Sequence, residues 1–223
     1  MLPRPAPDFA GHAAILAGQP LHELCPAAPG AEAAALGLAL GLAAQAAGPV
    51  IWAGEEGVFA EEGAPYPPGL AQFGLTPDRL IVVRAAKREE ALWAAEQGLS
   101  LPGATVICTL SLGGKPLDLK ATRRLLLFAE RTRARCLLVR PLAEASAAFT
   151  RWRVAPAASF GEARELGAPA YALELVRSRS GPAGARFILE WNAHERCFAE
   201  RELARATFAA PFNGSADPRQ ARA

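Results

Sequence analysis

Leu21-His22-Glu23-Leu24-Cys25-Pro26-Ala27-Ala28-Pro29-Gly30-Ala31-Glu32 is the stretch that decides how this chain is read. Leu21 to Cys25 alternates about Leu24 and reads as a short strand. Pro26 to Gly30 is a turn-rich loop. Ala31 to Ala47 is then a long Ala/Leu helix, stopped by Gly48-Pro49. Strand, short loop and long helix form the frame of a phosphate-binding loop, where glycines, a lysine and a hydroxyl meet at a helix N-terminus. The frame is here and the chemistry is not. Cys25 replaces the first glycine of the motif, Gly30 remains, Ala31 stands where the lysine should reach the phosphates, and Glu32 stands where a hydroxyl should hold magnesium. A glutamate at that point repels phosphate. Nucleotide hydrolysis is not expected at this loop, and no cofactor is assigned to it.

Outward from this loop the chain alternates short apolar runs with helical stretches. Val50 to Ala53 and Leu80 to Val83 read as strands, joined by a long Gly/Pro-rich connection over 54–78 that holds four glutamates. Arg88 to Gly98 reads as a helix whose apolar side carries Ala91, Leu92, Trp93 and Ala95. Ala104 to Leu110 is a further buried strand. Asp118 to Arg133 is a strong helix, with an acid at its start and Arg131 and Arg133 in its last turns, as the helix dipole prefers. Its apolar side is Leu119, Leu125, Phe128 and Ala129, and its other sides carry Arg123, Arg124, Arg131, Arg133 and Arg135. Cys136 to Val139 is a strand stopped by Arg140-Pro141. This alternation predicts an α/β fold with a mainly parallel sheet flanked by helices. Phe149 to Ala155 is extended. Ala170 to Arg177 and Arg186 to Trp191 form a C-terminal β-hairpin about the Ser/Gly/Pro-rich turn 178–185. Three divisions follow: a loose lead-in over 1–18, a single domain over 19–192 that includes the hairpin at 170–192, and a tail over 193–223 with an amphipathic helix at Ala199 to Phe208.

The chain has 223 residues, of which 51 are Ala. Charged residues make up 21% and nearly cancel to a net charge of +2, so the composition is that of a folded domain. Every apolar run is broken before it could span a bilayer, so no membrane is expected as a partner. Four cysteines and three histidines lie scattered, with neither a disulfide framework nor metal-ligand spacing, and the expected compartment is a reducing cytoplasm. The near-zero net charge hides an asymmetry. Residues 1–78 hold one basic and eight acidic residues, whereas 79–223 hold 23 basic and 14 acidic ones. Such polarity fits either a solvated helix face or a surface that meets a nucleic acid or an acidic protein patch.

Candidate residues for chemistry are few. Glu55 and Glu56 follow Trp52 and have the residue type of a general base, but also that of a solvated loop. Cys108 and Cys136 occupy strand positions and read as buried structural thiols. His12, His22 and His194 lie far apart, and His194 and Cys197 lack further ligands. No catalytic and no metal-binding residue is assigned, and the chain is not expected to be an enzyme. Binding candidates are better defined. Arg151-Trp152-Arg153 joins cations to an aromatic, the ingredients of base stacking and phosphate contact and equally of protein hot spots. Arg123 and Arg124 on the basic helix, and Arg177 and Arg179 at the hairpin turn, complete the candidate partner-binding or nucleic-acid-binding set.

Four ordered stretches resemble the alphaproteobacterial branch of the ImuA family. They are Leu21-His22-Glu23-Leu24; Pro68-Gly69-Leu70-Ala71 with Phe73-Gly74-Leu75-Thr76-Pro77-Asp78-Arg79-Leu80 and Glu90-Ala91-Leu92-Trp93-Ala94-Ala95-Glu96; Asp118-Leu119-Lys120-Ala121-Thr122-Arg123-Arg124-Leu125 leading to Leu138-Val139-Arg140-Pro141; and Thr150-Arg151-Trp152-Arg153-Val154-Ala155 with Leu189-Glu190-Trp191-Asn192. The resemblance implies a RecA-like core and a role in damage-induced mutagenesis. It implies a mutasome for translesion synthesis, with an inactive Y-family polymerase-like protein, RecA and an error-prone replicative-type DNA polymerase as partners. The expected function is that of a non-catalytic adaptor bridging the polymerase-like partner and RecA or DNA in the DNA-damage response. The family is also similar to the SulA group, which implies a second reading as an inhibitor of the tubulin-like cell-division protein. A single-stranded-DNA-binding module is the third.

Overall fold

A computed structural model describes residues 15–16, 18–111, 117–142, 145–159 and 167–201. Nine strands form one sheet: β1 (Leu21–Pro26), β2 (Val50–Glu55), β3 (Leu80–Ala85), β4 (Thr105–Thr109), β5 (Arg135–Val139), β6 (Thr150–Pro156), β7 (Ala170–Ser178), β8 (Arg186–Asn192) and β9 (Cys197–Arg201). Their order is β3-β2-β4-β5-β1-β6-β7-β8-β9. The first six run parallel, and β6 to β9 pair antiparallel. The parallel strands β1, β2, β4 and β5 are short because they are buried almost throughout and end where polar residues begin. The hairpin read from sequence is β7–β8. The long 54–78 connection contains two short helices, α2 (Glu56–Glu62) and α3 (Pro67–Gln72), and a single 3-10 turn at Pro77–Arg79.

Alternation along each strand divides the core into two layers. Leu24, Trp52, Ile107, Leu137, Trp152, Leu173 and Leu189 point to one face, under the helix α1 (Glu32–Gln45). Leu21, Ile51, Val106, Cys136 and Leu138 point to the other, under α4 (Arg88–Leu99) and α5 (Leu119–Thr132). Helix α1 lies close to the antiparallel strands because Gly37 and Gly41, one turn apart, leave room for aromatic rings. A Cβ at either glycine would overlap the Tyr171 or the Phe198 ring. The C-terminal carbonyls of α1 are satisfied from outside the helix. Arg135 Nη2 donates to Leu42 O at 2.6 Å, and Arg79 donates to Gly48 O at 3.0 Å and also to Ala46 O. These cations also complement the negative end of the helix dipole. Helix α5 is capped as its sequence predicts, with Asp118 Oδ1 accepting from Ala121 N at 2.8 Å.

Several sequence expectations need correction. The helix expected from Ala199 to Phe208 is contradicted at its start: residues 197–201 form β9, with Trp191 paired to Phe198, and the remainder of that span lies outside the described residues. The physical reason is the alternation of Cys197-Phe198-Ala199, which buries the Phe198 ring against α1. On α4 the buried side is Ala91, Ala94, Ala95, Gly98 and Leu99, and Trp93 is 61% exposed. Small residues win that face because Gly98 sits against Ile51 and Val106. Leu119 is exposed on α5, where Thr122 and Leu126 take the buried positions. Arg135 belongs to β5 and reaches α1, so it is not part of the basic face of α5. Strand β3 is the sheet edge, with Ile81 and Val82 exposed.

Candidate functional site

Ligands of open parallel sheets sit beyond the carboxyl ends of the strands, where the strand order reverses. Here that position is occupied by a cleft of about 530 Å³, counting the space open to solvent. The end of β1 at Pro26, the first turns of α1, α2, and the ends of β4 and β5 enclose it. The Cys25–Glu32 loop therefore lies where its strand-loop-helix frame predicts. Gly30 has φ +89°, which only glycine adopts easily, and Ala31 is the N-cap of α1 without a side-chain cap.

The floor of the cleft is apolar. Trp52 and Phe59 lie with ring centroids 5.4 Å apart, and Leu36 and Val58 complete the surface. Trp52 Nε1 donates to Thr109 Oγ1 at 3.2 Å, which fixes the indole. Gly54 is required beside this pair, because a Cβ there would overlap Thr109 Oγ1. The rim is acidic. Glu32, Glu61 and Glu62 line it, and no lysine or arginine among the described residues pairs with any of them. Burial, and then the neighbouring Glu32 and Glu61 charges, raise the Glu62 pKa above the usual carboxylate value. Glu32 also puts a negative charge in the first turn of α1, where a bound phosphate would otherwise sit.

Arg140 contributes to the wall of the cleft, but its guanidinium is engaged elsewhere. On the opposite face of the sheet Glu23, fully buried, accepts from Arg140 Nε at 3.0 Å, from Ser146 Oγ at 2.5 Å and from Arg151 Nε at 2.6 Å. Two guanidinium groups thus share one carboxylate, and Arg151 Nη2 has no partner. Glu55, read as a possible base, accepts from Arg88 Nε and from Ser111 N, both at 3.0 Å. It ties β2 to α4 and to the end of β4. Glu56 pairs with Arg84, whose guanidinium also lies 5.5 Å from the centre of the Phe59 ring.

The predicted binding residues are scattered by the fold. Trp152 is 0% exposed, donates to Thr150 Oγ1 at 2.7 Å and packs edge-on against Phe187, so it is core and cannot stack on a base. Arg151 is likewise buried. Both expectations are corrected by what covers each face of the sheet: Trp152 points under α1 and packs on Phe187, and Arg151 points to the other face, where it meets the buried Glu23. Arg153 pairs with Glu174 at 2.6 Å, which Arg186 also meets at 2.6 Å. Arg124 pairs with the buried Glu96 at 2.5 Å, whereas Arg123 is exposed. Arg177 donates to Ser146 O at 2.9 Å, and Arg179 lies over the Phe149 ring at 5.5 Å; both remain exposed. Cys25 and Cys108 are buried, and burial pushes both thiols up to about 12, away from reactivity. The acidic rim of the cleft was the feature that sequence reading missed. Its signal was present in Glu61-Glu62, one connection away from Glu32.

No known family model matches the chain. Two curated proteins, both named Protein ImuA and both from Caulobacter vibrioides (strains NA1000 / CB15N and ATCC 19089 / CIP 103742 / CB 15), are 34% identical to it over 158 residues. That match covers 65% of this chain and 61% of theirs, so less than two thirds of their length is spanned. Among solved structures, the crystal structure of the RadB recombinase aligns with a TM-score of 0.55 at 16% identity, covering 82% of this chain and 90% of that one. This likeness is one of fold: a RecA-like sheet flanked by helices. No helix among the described residues is long and apolar enough to cross a membrane.

Proposed function

Starting from a chain related in sequence to the ImuA family and built on a RecA-like fold, we propose that it is a non-catalytic adaptor in DNA-damage-induced, error-prone translesion synthesis. In this reading it bridges an inactive Y-family polymerase-like protein and RecA or DNA in the cytoplasm, beside an error-prone replicative-type polymerase. One observation carries the non-catalytic part. The place where a RecA-like fold would hold nucleotide phosphates has Ala31 for the lysine and Glu32 for the hydroxyl, with Glu61 and Glu62 beside it and no cation paired to any of the three glutamates among the described residues. Phosphoryl transfer depends on cations that neutralise developing charge. A site of this polarity works against that chemistry at both binding and turnover.

The single-stranded-DNA reading loses its stacking residue, because Trp152 is buried, and three of its six candidate arginines, Arg124, Arg151 and Arg153, are taken up in ion pairs. Protein contact therefore fits the remaining surface better than base contact. The test is a pull-down of the purified full chain against the polymerase-like partner and against RecA, with ATP turnover measured in parallel. Capture of both partners with no turnover above a boiled control is the expected result. Capture of neither, or turnover that is lost on changing the 25–32 loop, would overturn it. Filamentous growth on overexpression without DNA damage would instead support the division-inhibitor reading.

A further inference from the structure

We propose that the cleft at the start of α1 is a docking pocket for one basic side chain of a partner protein, an arginine or lysine flanked by apolar residues. The cleft has two zones of opposite character. Its floor, Trp52, Phe59, Leu36 and Val58, is apolar and offers a wall for the methylene stem of a long side chain. Its rim, Glu32, Glu61 and Glu62, is acidic and offers charge to the head of that side chain. An arginine or lysine is the side chain that is apolar along its length and cationic at its tip.

The other ligand classes fit less well. An anion such as a nucleotide meets three like charges. A neutral apolar ligand leaves the rim without a partner. A metal ion needs converging oxygen or nitrogen ligands, and no group of three His, Cys, Asp or Glu among the described residues is placed to hold one. The rim glutamates surround the cleft without converging on one point. Crowding among them supports the same assignment. The pKa of Glu62 is raised by burial and by Glu32 and Glu61, and an incoming cation would relieve that repulsion.

The inference deepens the adaptor reading by naming the chemistry of one contact, and rests on that reading only for the source of the side chain. The probe is an acetylated, amidated Leu-Arg-Leu tripeptide. Its control carries citrulline in place of arginine, which keeps the shape and removes the charge. Binding to the full chain is followed by the NMR shift of the Trp52 indole N–H. The arginine peptide is expected to give a saturable shift, with the citrulline peptide at least tenfold weaker. In the double variant Glu32→Gln, Glu62→Gln the arginine peptide should lose at least tenfold while the citrulline peptide is unchanged. Both substitutions are at the rim, so the variant's spectrum elsewhere should match the parent. Equal affinity for the two peptides, absence of a saturable Trp52 shift up to millimolar peptide, or displacement of the arginine peptide by ATP with a direct ATP-induced Trp52 shift would each overturn the proposal. The partner pull-down separates the two ideas. Peptide binding without capture sinks the adaptor and leaves the pocket, and capture without peptide binding does the reverse.

Discussion

The glutamates around the start of α1 and the arginines at the ends of β5 and β6 occupy opposite faces of one sheet, and the fold treats them in opposite ways. On the α5 face Arg140 and Arg151 are buried and share Glu23, and Arg177 joins them through the Ser146 carbonyl. On the α1 face Glu32, Glu61 and Glu62 stay at a rim without a cationic partner among the described residues. The difference shows that density of charge in a sequence is a poor guide to charge offered to a partner. A buried charge is tolerated only when paired, so Arg140 and Arg151 are consumed by Glu23. An exposed charge carries no such demand and remains available.

The comparison breaks most decisively at Glu23. Changing Glu23 to Ala strands two buried guanidinium groups, and chemical denaturation should show a loss of about 3–5 kcal/mol. A loss below about 1 kcal/mol would mean that the α5-face cluster is solvated and no different from the rim.

His22 gives the next effect, through pH. It is buried beneath α1, with Nδ1 2.6 Å from Thr150 Oγ1, and burial, then the charge of Arg135, lower its pKa from 6.5 to about 3. The unfolded chain therefore takes up this proton first as pH falls. The stabilisation is complete above pH 6.5 and is lost between there and pH 3, at a slope of about 1.4 kcal/mol per pH unit. Urea titrations at several pH values should show this slope, and His22→Asn should flatten it.

Smaller effects sharpen the contrast at the surface. Arg84 and Glu56 are each about half exposed and pair beside the cleft, so Arg84→Ala should cost less than about 1 kcal/mol. Glu62→Gln should cost nothing. The raised pKa means that ionising Glu62 opposes folding once pH exceeds that pKa, and the opposition is absent below the ordinary carboxylate value. At neutral pH the variant should thus match or exceed the parent, by no more than about 0.5 kcal/mol, and at pH 3 the two should coincide. A clear loss at neutral pH would show that Glu62 has a structural partner and would remove it from the rim.

Much of the architecture was legible before any coordinates. Strands β2 to β5 were visible as short apolar runs, β1 by alternation and β6 as an extended piece, α5 as an amphipathic helix with Asp118 at its start, and the β7–β8 hairpin as two runs about a polar turn. What failed did so for identifiable reasons. Strand β9 was hidden because Phe198 is its single large buried residue, and that ring finds its place only against Gly41 of α1. Arg151 and Trp152 look like a surface motif until the packed sheet places Trp152 in the core under α1 and Arg151 against the buried Glu23 on the other face. The candidate site was half legible: Ala31 and Glu32 stand in the loop itself in place of a lysine and a hydroxyl, but nothing local places Glu61 and Glu62 beside them.

The sequence by itself determined the order of β1 to β8 with α1, α4 and α5, because period and breaker residues act over a few positions. It also determined the absence of a lysine and a hydroxyl from the one loop where a RecA-like fold would need them. Only the tertiary structure decided which charges are hidden and which are offered. That outcome depends on pairings such as Glu23 with Arg140 and Arg151, more than a hundred residues apart in the chain. Burial sets the worth of a charge, and burial is a property of the packed sheet.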